Sequence, residues 1–462
     1  MSDYLKFLHT GDIHLGRPLN CGSEVPEYLE SVFNDAGYKS LEIMFDIALE
    51  RKVDFVLITG DLFDSEARSV KASRIFVEQS RRLEKNNIPV YIISGNHDPG
   101  GGIDEPFPFP DNVYFFDSED VNMIKYKDEH ENLLARIIGQ SYRSKFESRK
   151  MYTYYTVPDT NCFNLGMLHT QLNPDNNRYV PISSSDLITK DDIHYWALGH
   201  IHESRILRAS PPVLVYSGTP QGHNISERGK KGCFIIEASP YNPDEIPLIK
   251  FIPVSPVIFK KIDINIEEKE ELPPRNISDL QDMLIQEAEN LLDNPDGEKI
   301  NFPGLENKNV LIEEKYEPVK GFIVRWLIKG RGPLHEIIEK NTEETENELK
   351  NILNNHFAAQ DMDPFIWTHS LVFRTSRNLP SIEELKYNEI YQEIESVIED
   401  IKNKEEPEEK MLDNWGRIWE GSQEPEEREN DKFFPDRETK DEILKAAHQK
   451  IIARLFSRGD EK

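Results

Sequence analysis

"VDFVLITGDLFD", Val53 to Asp64, decides the fold. Phe55 to Ile58 form an unbroken apolar run rich in β-branched and aromatic residues, the composition of a short strand buried on both faces. The run stops at Thr59-Gly60 and is followed at once by two carboxylates, Asp61 and Asp64. The same design lies on either side of it, in "LKFLHTGDIH" (Leu5 to His14) and "IPVYIISGNHD" (Ile88 to Asp98). Amphipathic stretches near Tyr38–Arg51 and Ala67–Asn86 separate the three runs. Strand and helix in alternation predict an α/β layered fold. After Met151 strands dominate, in "CFNLGMLHT", "HYWALGHIH", "PVLVYSGTP" and "KGCFIIEAS". The expected architecture is a two-sheet sandwich flanked by helices.

A chain of 462 residues has room for two or three domains. Residues 1–255 carry the sandwich pattern. Residues 256–378 read as a small α+β domain: a helix near Asp279–Leu292, then "VKGFIVRWLIKG", a helix near Glu343–Asn354 and "PFIWTHSLVFRT" as strand, helix and strand. Residues 379–462 read as C-terminal helices over Ser381–Lys402 and Thr439–Arg458, joined by an acidic linker, 405–436, with 12 acidic and 4 basic residues.

No apolar run approaches the roughly 20 residues of a spanning helix. The strand that starts at Leu5 leaves no room for a removable leader. Cys21, Cys162 and Cys233 are odd in number and far apart, so neither a disulfide framework nor a CxxC zinc pattern is expected. The expected location is the cytoplasm, away from membranes. Net charge is −29, concentrated after residue 250. That excludes nucleic-acid binding through bulk positive charge, because phosphate contacts come from Lys and Arg. A local basic track remains compatible. Its candidates are Arg143, Lys145, Arg149 and Lys150 in "YRSKFESRK" and Arg228, Lys230 and Lys231 in "ERGKKG". A solvated loop explains either segment equally well.

The ends of the apolar runs hold side chains that bind metals: Asp12 and His14 in "GDIH", Asp61 and Asp64 in "GDLFD", Asn96, His97 and Asp98 in "GNHD". "LHT" adds His169, and "GHIH" adds His200 and His202, which would share one face of an extended strand. A lone histidine in a strand is ordinary, and "GD" or "GN" alone is turn chemistry. Five such clusters, each where a sheet aligns its strand ends, point to a site on one rim. Carboxylate, imidazole and amide donors suit manganese, iron or zinc rather than calcium. Their number exceeds one coordination sphere, which implies two ions sharing a carboxylate.

DxH, GDxxD, GNHD, a lone His after a strand and GHxH, spread over Asp12–His202, resemble the calcineurin-like metallophosphoesterases. "FLHTGDIHLGRPL", "VDFVLITGDLFD" and "ALGHIHESRIL" are similar to the SbcD-type DNA repair nucleases of that superfamily, and "VYSGTPQGHNISERGKKGCFIIE" to their YhaO-type branch. The resemblance is strong over the first 255 residues and weaker beyond them. It implies that Asp12, His14, Asp61 and His202 hold one ion and Asp61, Asn96, His169 and His200 the other, with Asp61 shared. It leaves His97 unmetallated, as the group that contacts the scissile phosphate and helps the leaving oxygen depart. Asp64, a carboxylate where many relatives have His or Asn, is expected to orient His97; the competing role is to cap the following helix. Asp98 is expected to support the loop or a ligating histidine from behind rather than to bind metal.

The resemblance further implies two divalent ions, Mn2+ foremost with Mg2+, Fe2+ or Zn2+ as alternatives. The implied activity is a DNA phosphodiesterase, a 3′-to-5′ exonuclease with endonuclease activity in DNA double-strand break repair. The implied partners are DNA, an SMC-like coiled-coil ATPase of the SbcC or YhaN kind docked by the C-terminal helices, and a second copy in a homodimer, for which the Ala67–Asn86 helix is a candidate. Arg143, Lys145, Arg228 and Lys230 are the candidate substrate contacts. Two other readings stand beside it: a dinuclear phosphatase or small-nucleotide phosphodiesterase, and a non-catalytic scaffold for the ATPase.

Overall fold

Alternation within the strands separates two cores. In β1 (Leu5–Thr10) and β2 (Phe55–Thr59), Phe7, Phe55 and Leu57 point into one cluster, while Leu8, Val56 and Ile58 point into another. These residues belong to a computed structural model. It describes residues 4–64, 69–100, 106–173, 178–267, 274–295, 309–313, 319–358, 362–377 and 385–403, with 300, 302, 316, 447, 448, 450 and 451. The linker 405–436 and most of the Thr439–Arg458 helix lie outside the described residues.

The strands continue with β3 (Val90–Ile93), β4 (Val113–Phe115), β5 (Asn122–Lys127), β6 (Leu133–Gly139), β7 (Phe163–His169) and β8 (Tyr195–Gly199). Then follow β9 (Arg205–Arg208), β10 (Val213–Tyr216), β11 (Gly232–Ala238), β12 (Leu248–Pro253), β13 (Val257–Asn265), β14 (Val310–Ile312), β15 (Gly321–Arg331) and β16 (Phe365–Ser376). One sheet has the order β14-β12-β11-β1-β2-β3-β4, a second β5-β6-β7-β8-β10-β9, and a third β13-β15-β16. The run β1 to β4 is parallel, as is β6-β7-β8-β10. The fold is thus the expected mixed α/β arrangement, with sheets and flanking helices.

Between the first two sheets, Phe7, Phe55, Leu57 and Ile93 pack with Ile137, Phe163, Leu165, Tyr195 and Val215. The outer face of the first sheet is covered by α1 (Glu27–Glu50), through Leu41, Met44, Phe45 and Ile47, and by α2 (Val70–Glu84), through Ala72, Phe76 and Leu83. Burial on both faces is why these strands read as continuous apolar runs. Ser69 caps α2 by accepting from Ala72 N–H at 3.1 Å, which removes the capping role from Asp64.

The chain divides into two compact units, one of residues 1–262, 285–326 and 349–371, the other of 263–284, 327–348 and 372–462. The first holds both large sheets and every residue of the site below. The second includes the amphipathic helix Glu389–Asn403. Among the described residues no helix is long and apolar enough to cross a membrane.

Candidate metal centre

Parallel strands put their C-terminal ends on one rim, and both sheets do so here. Asp12 and His14 follow β1, Asp61 and Asp64 follow β2, Asn96 and His97 follow β3, His169 ends β7, and His200 and His202 follow β8. The loops after β1 and β2 run side by side, with Asp12 N donating to Gly60 O (3.0 Å) and His14 N to Asp61 O (3.0 Å). Asp98 joins the loops after β2 and β3: its buried carboxylate accepts from the N–H groups of Asp61, Leu62, Phe63 and Gly95 at 2.7–3.2 Å. Asp12, His14, Asp61 and His200 all take positive φ, between 49° and 93°. Non-glycine residues adopt that region at a cost of about 1–3 kcal/mol each, which the surrounding packing must sustain.

The seven residues expected as ligands come together. Asp61 Oδ2 lies 3.9 Å from His14 Nε2 and 3.5 Å from His169 Nε2, while its Oδ1 accepts the backbone N–H of His97 at 2.8 Å. His14 Nε2 and His202 Nε2 are 3.2 Å apart. Asn96 Oδ1 is 3.0 Å from both His169 Nε2 and His200 Nδ1. Both Asp12 oxygens accept the backbone N–H of His200 at 3.0 Å. Ligand atoms of Asp12, His14 and His202 lie within 4.8 Å of one another, as do those of Asp12, Asp61 and His169 and those of His14, Asp64 and His97.

One detail corrects the sequence reading. β8 ends at Gly199, so His200 and His202 do not share a strand face. The φ of +93° at His200 fans the pair apart, sending His200 toward Asn96 and His202 toward His14.

The donor chemistry fits divalent cations. His169 Nδ1 donates to Thr59 O at 2.9 Å, which leaves Nε2 as a lone-pair nitrogen aimed at the Asn96 oxygen. Two acceptors at that separation are matched by a shared cation. Burial holds His169 near 3 and His200 near 2, and pushes His14 well below the usual imidazole value, so all three keep lone pairs at neutral pH. Burial, with carboxylate neighbours adding to it, pushes the Asp12 and Asp61 carboxyls up. Positive charge placed between them would reverse that. The Asp61 carboxylate faces imidazoles of both clusters.

His97 stands at the edge, 28% exposed, with Nδ1 3.6 Å from Asp64 Oδ1. Asp64 is buried and also faces His14 Nδ1 at 3.7 Å and the Arg17 guanidinium at 3.6 Å. The candidate substrate contacts are more scattered. Arg143 is exposed and paired with Glu119, Lys145 and Arg228 are exposed, and Lys230 is half-buried. Arg149 is committed to Glu147 and to Ser118 O, and Lys231 is buried with Nζ on His202 O at 3.3 Å. Sequence reading missed Arg17, and it missed Glu227, which accepts from His202 Nδ1 at 2.8 Å. Nothing in the spacing flags Glu227, because only the folded loop brings it to His202.

The chain is similar to known proteins over this region. The family described as calcineurin-like phosphoesterase matches residues 5–204. The chain is 35% identical over 237 residues to the uncharacterized metallophosphoesterase YhaO of Bacillus subtilis (strain 168), covering 51% of this chain and 58% of that one. It is 28% identical over 279 residues to the DNA double-strand break repair protein Mre11 of Methanocaldococcus jannaschii, covering 57% and 70%. To a component of the nuclease SbcCD of Bacillus subtilis (strain 168) it is 21% identical over 270 residues, covering 51% and 67%. The chain therefore spans less than two thirds of the YhaO relative. The match to the calcineurin-like phosphoesterase family ends at residue 204 and spans all seven converging side chains, and over this part the chain is similar to that family.

Proposed function

We propose that the protein is a metal-dependent DNA phosphodiesterase, a 3′-to-5′ exonuclease with endonuclease activity, acting in DNA double-strand break repair beside an SMC-like coiled-coil ATPase. The observation that carries the hydrolase reading is Asp61, a buried carboxylate with one oxygen 3.9 Å and 3.5 Å from imidazoles of two clusters. The DNA substrate is supported by the name of the Mre11 relative and nuclease action by that of the SbcCD relative; the ATPase rests on the sequence resemblance alone. In this reading Asp12, His14, Asp61 and His202 hold one Mn2+ ion and Asp61, Asn96, His169 and His200 the other. Residues 256–378 serve DNA binding, the C-terminal helices serve the ATPase, and α2 serves a homodimer.

When bound, two divalent ions acidify a water and offset the charge of the phosphate. The residues supply the rest. Asn96 provides an oxygen without adding negative charge to an ion that must remain electrophilic. The backbone of His97 is fastened to Asp61, while its partly exposed imidazole stays free to give a proton to the leaving oxygen. Asp64 faces His97 Nδ1, so Nε2 is the nitrogen left for that proton. A hydrogen bond from His97 to Asp64 would require the 3.6 Å gap to close when substrate binds.

The test is end-labelled duplex DNA beside bis(p-nitrophenyl) phosphate, each with Mn2+ and the full chain. Mn2+-dependent release of nucleotides from the 3′ end is expected. Hydrolysis of the small diester alone would overturn the DNA substrate, and hydrolysis of neither would overturn the enzyme.

A further inference from the structure

We propose that Glu227 is a positioning residue that holds His202 in the tautomer and orientation a metal requires; this rests on the metal reading above. A neutral imidazole carries one N–H, and the partner of that N–H decides which nitrogen keeps its lone pair. His202 Nδ1 points at Glu227 Oε1, 2.8 Å away, and a carboxylate oxygen can only accept. The proton therefore sits on Nδ1, and Nε2 faces His14 Nε2 at 3.2 Å, on the side where Asp12 completes the cluster.

Glu227 is itself fixed. Its side chain is 11% exposed, Oε1 also accepts from Asn224 Nδ2 (2.9 Å), and Oε2 accepts from His223 N–H (2.6 Å). The turn that carries it is closed tightly: a Cβ on Gly222 would stand 2.6 Å from Glu227 O. His202 needs such support because it lies beyond the end of β8, where no strand ladder holds it. Its carbonyl is held by Thr219 N–H (3.2 Å) and Lys231 Nζ (3.3 Å), flanking the same loop, and Glu227 is the acceptor that fixes Nδ1 of the ring. Closing the turn alone would need only the His223 and Asn224 bonds. A glutamine has one acceptor oxygen for two directions, and must abandon either His202 or His223 N–H.

Carboxylates behind a ligating histidine are worth about 10–100-fold in metal affinity. Mn2+ titration of the full chain, read by the spectrum of free Mn2+, is to be compared for the wild type, Glu227→Ala, Glu227→Gln and Glu203→Ala, each with a melting curve of the metal-free protein. Glu203 is an exposed carboxylate beside His202, paired with Arg205. The wild type and Glu203→Ala are expected to bind two ions alike. In Glu227→Ala one of the two affinities falls by about 10–100-fold and the other holds, with Glu227→Gln between. Two unchanged affinities in Glu227→Ala would overturn the proposal. So would an equal loss of both together with a lowered melting temperature, the mark of a general structural role. A wild-type protein that binds no ion would instead overturn the metal reading on which this one stands.

Discussion

At the scale of residues, the proposed roles separate holding metal from moving a proton, and substitutions should separate them too. His97 touches Asp61 only through its backbone N–H, and its imidazole lies at the solvent edge. His97→Ala should therefore bind two Mn2+ ions as the wild type does while its turnover falls by about 10²–10⁴-fold, the usual worth of a positioned general acid. Single-turnover cleavage beside a Mn2+ titration reads both quantities; a loss of metal binding would place His97 among the ligands. Asp61→Asn should do the opposite first. Its Oδ2 is the oxygen that faces both His14 and His169, and an amide there removes a negative charge from both ions at once. Both Mn2+ affinities should fall, and activity with them. Retention of one full affinity in Asp61→Asn would show that Asp61 is not shared.

At the scale of elements, the rim works because backbone from the two sheets can approach closely. A Cβ on Gly199, the last residue of β8, would stand 1.9 Å from Thr59 O, the atom that accepts from His169 Nδ1. Gly199→Ala should lower the melting temperature and weaken Mn2+ binding together, because the clash falls on backbone that orients a ligand. Gly37→Ala, inside α1 with its nearest neighbour at 3.8 Å, should leave metal binding intact and gain up to about 1 kcal/mol from helix propensity. The elements readable from sequence were those whose burial is uniform: β1, β2, β3, β7 and β8 are buried almost throughout, and the candidate ligands lie at their ends or within a few residues of them. Two edge strands, β5 and β14, were not readable. β5 is polar and half exposed, and β14 gains its strand character from pairing with β12 far back in the chain. α1 was legible only from Tyr38, because Asn34, Asp35 and Gly37 are weak helix formers; burial of Leu29 and Phe33 carries the helix back to Glu27. The divergence of His200 and His202 depends on one backbone angle that residue types do not encode.

At the scale of the whole molecule, the metal centre should govern how stability responds to pH. Burial, ahead of any other cause, pushes Asp61 up to about 6, Asp98 to about 7 and Asp12 to about 8, from a usual 3.8. The metal-free folded protein thus keeps protons that the unfolded chain has already released. Stability from these groups is complete below the usual carboxylate value and is lost as pH rises through 6 to 8. His202 adds to the same trend: burial opposes it, but the Glu227 hydrogen bond and Asp12 leave its imidazole raised. His14, His169 and His200 act oppositely, since burial lowers them, and their contribution is lost as pH falls below 6.5. Above pH 6.5 those three are neutral whether the chain is folded or not, so the carboxylates set the slope, at about 1.4 kcal/mol per pH unit for each proton of difference. The protein in EDTA should accordingly melt at a lower temperature at pH 8.5 than at pH 6.5. Mn2+ replaces those protons with cations, so the rise in melting temperature on adding Mn2+ should be larger at pH 8.5 than at pH 6.5. Scanning calorimetry at the two pH values, with EDTA and with Mn2+, measures all four states. An equal Mn2+ increment at both would mean that the ions do not bind at Asp12 and Asp61, and a chain that melts higher in EDTA at pH 8.5 would mean that these carboxylates are already charged without metal.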